Sequence, residues 1–176
     1  GNMLYAATDA GVYRCDISVN PLDIATWSIY NQLAARQLIV MGDHLYLNTA
    51  KKGVYFLNTQ TAALQQVIKT VQTSYFADSQ GILFYNNSSY TPISAEANAT
   101  VGKTVTLATS IHALCRTTDG TLWAAQGFEG LNAYKETEGE LQAVTTRIGG
   151  YGPKRDLCYF LRYAGERLLV AGGRLD

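Results

Sequence analysis

Two histidines, His44 and His112, are the whole supply of neutral-pH bases in this sequence. A hydrolytic triad needs a nucleophile, a base and an orienting acid brought together, and no G-x-S-x-G turn presents a serine to either histidine. His44 falls at a hairpin tip and reads as a surface residue, whereas His112 falls in an inner strand of the repeat described below and reads as a core or channel residue. Cys15, Cys115 and Cys158 are odd in number, far apart and free of any C-x-x-C pair, which supports neither a disulfide framework nor a zinc site. They read as small buried thiols in strands. Two histidines without nearby cysteines or paired carboxylates support no transition-metal site. The stretch Gly149-Gly150-Tyr151-Gly152-Pro153-Lys154-Arg155 superficially suggests a phosphate cradle, but it lacks the G-K-[ST] ending and precedes a strand instead of a helix. It reads as a turn joining two repeats. Glu136, Glu138 and Glu140 alternate with Thr137 and Gly139 as on a solvated hairpin face, without the fixed loop spacing of a calcium site or the facing carboxylates of a glycosidase. The expectation is therefore a chain with no catalytic residues, no metal and no cofactor.

The elements that must position the remaining polar residues come from internal repetition. Four segments share one layout of apolar strand, short polar or Gly turn, and apolar strand: Leu38–Met41 with His44–Leu47, Tyr75–Ala77 with Ile82–Tyr85, Ile111–Arg116 with Thr121–Ala125, and Tyr159–Tyr163 with Leu168–Ala171. Their turn glycines stand at 42, 81, 120 and 165, in steps of 39, 39 and 45, and glycine supplies the positive φ that tight hairpins require. A third strand follows a glycine at Gly11-Val12-Tyr13, Gly53-Val54-Tyr55 and Gly130–Tyr134, while the copy after Tyr85 carries Asn86–Ser89 where that glycine would stand. Looser fourth strands follow at Trp27–Tyr30, Leu64–Ile68, Val105–Ala108 and Leu141–Val144. Four antiparallel strands in about 40 residues is the unit of a β-propeller. Such a unit cannot bury both faces alone and must stack on neighbours. A β-sandwich would show similar strand spacing but no fixed-period repeat. The stretches 24–36 and 95–100 have poor helical apolar spacing and read as strands and loops.

The expected fold is thus all-β, a β-propeller of four-stranded antiparallel blades, with about four blades present as a fragment of a larger propeller. A single partial domain spans 1–176, with repeats near 3–36, 37–73, 74–110, 111–157 and an incomplete 158–176. With strands lettered A to D outward from the axis, the chain opens on a B strand, Leu4–Thr8, and ends on an A–B hairpin. Open edges of this kind invite further strands, so the expected partners are the remaining blades of the same protein or a second copy of the chain.

Composition agrees with a packed domain. Hydrophobic residues make up 47% and charged residues 16% of the 176 residues, unlike a disordered chain. Fourteen basic residues balance fourteen acidic ones, so no global field favours nucleic acid or an anionic membrane. No stretch is long and apolar enough to span a bilayer. Gly1 resembles a cloning remnant and the native start is expected to be missing, so the N-terminus does not report the compartment.

In a propeller the loops joining D to A and B to C gather on one face around the channel mouth. Here that face carries Lys51, Lys52, Phe128, Glu129, Tyr151, Lys154 and Arg155, aromatic and basic side chains that can stack on sugars and pair with acidic groups. Asn98-Ala99-Thr100 matches a glycosylation sequon, a short pattern frequent by chance.

The segment Asp119-Gly120-Thr121-Leu122-Trp123-Ala124-Ala125, followed by Gly130-Leu131-Asn132-Ala133-Tyr134, resembles the two-component regulator propeller repeat of Bacteroides-type bacteria. Leu4–Ile17, Asp43–Leu57 and Tyr151–Gly173 (YGPKRDLCYFLRYAGERLLVAGG) resemble the N-terminal propeller of PorZ-like type IX secretion proteins. The resemblance covers most of the chain, but its motifs are structural. It implies a non-catalytic binding or scaffolding module of an exported protein at the cell surface or in the periplasm. Surface polysaccharide or secretion-system proteins are the implied partners. The alternatives are a glycan-sensing ectodomain of a hybrid two-component sensor, and a fragment of a propeller lyase or glycosidase. For the expected binding face, replacing Lys154 and Arg155 with Ala should weaken binding to anionic glycans on an array, and an unchanged signal would exclude both residues.

Overall fold

Apolar runs cut by Gly-, Asn- and Asp-bearing turns fold into seventeen strands among the described residues. The computed structural model describes residues 2–42, 44–96, 100–127, 129–137, 140–145 and 158–172. The chain divides into two units, residues 1–72 and 73–176.

The first unit holds two antiparallel meanders. A three-stranded sheet runs β1 (Met3–Thr8), β2 (Gly11–Asp16), β3 (Ser28–Asn31), and a four-stranded one runs β4 (Gln37–Met41), β5 (His44–Asn48), β6 (Val54–Leu57), β7 (Leu64–Ile68). Val12, Ala35, Leu45, Leu47 and Leu57 form the buried cluster between them. The second unit begins with the sheet β8 (Ser74–Asp78), β9 (Gly81–Tyr85), β10 (Ser89–Ser94), β11 (Val105–Thr106). It continues with β12 (Ala113–Arg116), β13 (Leu122–Ala125), β14 (Leu131–Thr137), β15 (Glu140–Thr145), and ends on the hairpin β16 (Phe160–Ala164), β17 (Arg167–Ala171). Here the first strands of successive sheets are neighbours, β8 beside β12 and β12 beside β16. Leu83, Tyr85, Tyr90, Leu114, Leu122 and Ala124 pack one interface. Ala113, Cys115, Ala125, Leu131, Cys158 and Leu161 pack the next.

Second strands carry the deepest burial. All five residues of β9 are buried, as are Leu45–Asn48 of β5. A strand covered on both faces needs no polar alternation, which is why these segments read as continuous apolar runs. β1 departs from this pattern. It sits at a sheet edge and all its residues stay partly or fully exposed.

Local chemistry explains the turns. Gly42, Gly120 and Gly165 have positive φ at hairpin tips with open space around them. Gly81 differs from the sequence expectation, because the turn residues are Ser79 and Gln80 and Gly81 already pairs with Asp78. Its role is clearance, since a Cβ there would lie 2.0 Å from the Ile93 carbonyl oxygen. The same close approach recurs at Gly11 against Asn31 and at Gly53 against Ile68. Where the third-strand glycine is missing, the Asn86 side chain closes the turn, its Oδ1 accepting from the Ser88 and Ser89 amides at 3.0 Å each.

Three further expectations are corrected. The strand expected over 111–116 begins at Ala113, so His112 lies outside it and is exposed. The strand expected over 105–108 is only Val105–Thr106, because Leu107 donates to the Ser88 carbonyl instead of continuing the ladder. The Asp119-Gly120 turn is wider than two residues, closed by Thr117 N–H on the Thr121 carbonyl at 2.9 Å. Within 24–36, Ile24–Thr26 forms a single 3-10 turn and the remainder is strand and loop.

Gly53 and Gly120 both have positive φ, but only Gly53 faces a carbonyl, with Ile68 O at 2.1 Å from a built Cβ. Gly53→Ala is expected to destabilise the protein by about 1–3 kcal/mol more than Gly120→Ala, as read from urea unfolding midpoints of the two variants.

Candidate functional site

Of the residues expected on one recognition face, Lys51 and Lys52 lie exposed in the β5–β6 connection of the first unit, and Glu129 lies exposed in the β13–β14 connection of the second. Phe128, Tyr151, Lys154 and Arg155 lie outside the described residues, as do Asp43, Asn98, Glu138 and the stretch 149–155. The lysine loop is held by Thr49, whose hydroxyl donates to the Gly53 carbonyl at 2.8 Å and accepts from the Lys52 amide at 2.9 Å. Gln66 Nε2 donates to the Lys52 carbonyl at 2.6 Å. Glu129 is fixed by its amide on the Gln126 carbonyl at 3.1 Å and by Asn132 Nδ2 donating to its carbonyl at 3.3 Å.

Buried amide side chains at the ends of the second strands, which sequence reasoning missed, tie neighbouring strands and connections together. Gln126 Oε1 accepts from Asn132 Nδ2 at 2.7 Å and from the Tyr134 hydroxyl at 2.9 Å. In the first unit Asn48 Nδ2 donates to Gln37 Oε1 at 2.8 Å and to the Gln72 carbonyl at 3.3 Å. Their only sequence signal is a polar residue directly after an apolar second strand. His112 stands beside this bracing, with its ring edge-on to Tyr159 at 4.8 Å.

The second unit also contains a groove of about 330 Å³ between the β8–β11 and β12–β15 sheets. Leu83, Tyr90, Pro92 and Val105 line one side, and Leu122 and Leu141 the other. Lys103, Arg116 and Glu136 add charge. The space exists because the fourth strand β11 has two residues and because Gly102 and Gly120 border it without side chains. Arg116 is engaged by Asp78 through Nε–Oδ2 at 2.9 Å and Nη2–Oδ1 at 2.8 Å, a bidentate pair tying β12 to β8. Burial pushes the Tyr90 phenol up, and the Glu136 carboxylate pushes it further, against the opposing effect of Arg116.

Beyond the groove, Asp119 accepts from the Thr117 hydroxyl at 2.6 Å, the Thr121 hydroxyl at 2.8 Å and the Thr121 amide at 3.2 Å. These bonds, with Lys135 at 3.3 Å, hold its carboxyl well below the usual carboxylate range. This turn closes the β12–β13 hairpin. Cys15, Cys115 and Cys158 carry free, buried thiols. Burial, with Cys158 nearby, pushes the Cys115 thiol up to about 11, the opposite of what a nucleophile needs. Among the described residues, no group of three or more His, Cys, Asp or Glu side chains could hold a metal ion. No helix among them is long and apolar enough to cross a membrane.

The first unit presents an apolar loop between β2 and β3, where Leu22 is 92% and Ile24 87% exposed. The loop is braced from within. Asn20 Oδ1 accepts from the Leu22 amide at 3.1 Å, Asp23 Oδ1 from the Ala25 amide at 2.9 Å, and the Pro21 carbonyl from Trp27 Nε1 at 2.9 Å. Two large aliphatic residues in a turn-rich connection were the available sequence signal.

Compared with solved structures, the chain is similar to PorZ, a surface component of the type-IX secretion system of Porphyromonas gingivalis, with a TM-score of 0.65 and 18% identity over 99% of this chain and 24% of that one. It is similar to the extracellular domain of a hybrid two component system from B. thetaiotaomicron, with a TM-score of 0.64 and 14% identity over 98% of this chain and 24% of that one. It is also similar to the N-terminal domain of Nup159, with a TM-score of 0.60 and 12% identity over 82% of this chain and 46% of that one. No protein-family profile and no curated protein matches the chain. At these identities the likeness carries the fold, and the chain is an all-β propeller whose described antiparallel sheets hold two to four strands each. It spans about a quarter of the length of the first two structures.

The Asp119 turn makes a pH prediction. A carboxyl with lowered folded-state pKa contributes stability that is present above its unfolded value and lost as pH falls toward the folded one. Asp119→Asn should therefore lose less stability than the parent between about pH 6 and about pH 3, measured by urea unfolding at each pH.

Proposed function

We propose that the chain is a non-catalytic binding or scaffolding module of an exported propeller protein, working at the cell surface or in the periplasm in the manner of PorZ. The observation that carries this reading is the braced loop of the first unit, which presents Leu22 and Ile24 to solvent. Two neighbouring, almost fully exposed aliphatic side chains on a loop whose backbone is already hydrogen-bonded offer apolar area to a macromolecular partner at a reduced backbone-ordering cost. The raised Cys115 and Cys158 thiols favour a role without covalent chemistry. The five repeats form one partial propeller domain, and the exposed β1 edge takes an inner strand from further blades of the same protein or from a second copy. Lys51, Lys52, Phe128, Glu129, Tyr151, Lys154 and Arg155 contribute to its recognition face.

The similarity to the hybrid two component ectodomain, which covers 98% of this chain, supports a second reading as a glycan-sensing ectodomain. Fold likeness alone cannot choose between the two, since propellers host many functions.

Leu22→Ser combined with Ile24→Ser in the parent organism is expected to leave the protein folded and exported but to remove it from its larger assembly on native gels. Retention in the assembly would reject the loop as the contact, and recovery of the parent protein in the cytoplasm would reject the exported reading itself. Saturable glycan binding with an unchanged assembly would favour the sensor.

A further inference from the structure

The groove of the second unit has a charge arrangement that the proposed role does not use. Arg116 is neutralised by its bidentate pair with Asp78, and Lys135 is engaged by Asp119. Two charges remain at the groove, Lys103 from the β10–β11 connection and Glu136 from β14, one on each wall. They form no ion pair with each other or with any other described residue. Between them the groove is lined by Leu83, Val105, Leu122 and Leu141. Opposite charges that bridged one another would leave an electrostatically closed site. Unpaired with one another and on opposite walls of the groove, they offer a carboxylate partner and an ammonium partner to one ligand. The volume of about 330 Å³ lies at the small end of the roughly 300–1,000 Å³ usual for ligand pockets, which suits a single residue better than an oligosaccharide.

We infer that this groove binds a zwitterionic α-amino acid with an apolar side chain, its carboxylate on Lys103, its ammonium on Glu136 and its side chain against the leucines. Binding is non-covalent, so the ligand leaves unchanged. Both charged groups are exposed and screened by solvent, so affinity is expected to be weak, with a Kd of about 1 mM.

The test is a titration followed by backbone amide NMR shifts, using L-leucine, N-acetyl-L-leucine (no ammonium) and L-leucinamide (no carboxylate). L-leucine should shift the amides of Tyr90, Gly102 and Leu122 saturably, and each blocked form should bind at least about fivefold more weakly. Lys103→Gln should erase the difference between leucine and leucinamide while keeping that between leucine and N-acetylleucine, and Glu136→Gln should do the reverse. Spectra of the free variants, superimposable on the parent outside the groove, establish that both remain folded. Absence of saturable shifts up to about 10 mM leucine, equal binding of all three compounds, or variants that leave both differences in place would each overturn the proposal.

Discussion

A four-stranded meander has two faces and can cover neither by itself. That constraint governs the packing in both units. The second strand of each four-stranded sheet takes the deepest position, and in β9 every residue is buried. Burial on both faces removes the need for polar alternation and makes each sheet dependent on its neighbours for most of its hydrophobic stabilisation. Within the second unit the first strands β8, β12 and β16 therefore lie side by side, and one interface follows another: Leu83 and Tyr90 against Leu114 and Leu122, then Cys115 and Leu131 against Leu161.

Packing sheets this way creates a second demand. The backbone that leaves one sheet and enters the next cannot join either ladder, yet it passes beside buried strands, where unpaired polar groups are costly. The second unit meets this with backbone pairs, Ile111 N–H on the Asn87 carbonyl and a reciprocal bridge between Gly127 and Cys158. The first meets it with a side chain, Asn48 Nδ2 on the Gln72 carbonyl. Gln126, 2% exposed, is a further instance, its side-chain oxygen gathering the Asn132 amide and the Tyr134 hydroxyl of β14. These residues are polar because the connections need partners. The same bracing leaves the charged side chains of the β5–β6 and β13–β14 connections exposed.

The chemistry of the interior follows from its dryness. A buried thiol such as Cys115 is held protonated and packs as a small apolar group. Charge survives at the strand ends and turns, where solvent and threonine hydroxyls can stabilise it, as at Asp119, or where two inner strands share an ion pair, as at Arg116 and Asp78.

Periodicity carried the architecture into the sequence. Glycines that recur in step announced the hairpins, since a residue without a Cβ takes positive φ at a tip without strain and alone tolerates a carbonyl 2.1 Å from its Cβ position, as at Gly53. Continuous runs such as Ile82–Tyr85 announced strands buried on both faces. These signals are local, so one sequence displays them. Tertiary structure alone decided the rest. Gly81 serves clearance instead of the turn because its neighbour is Ile93, far along the chain. Gln126 and Asn48 are braces because of what folds over them, and Leu22 and Ile24 are exposed because no described residue covers them. Lys103 and Glu136 line one groove because the β8–β11 and β12–β15 sheets both border it. Each of these depends on distances between residues remote in the chain, which composition and spacing do not encode.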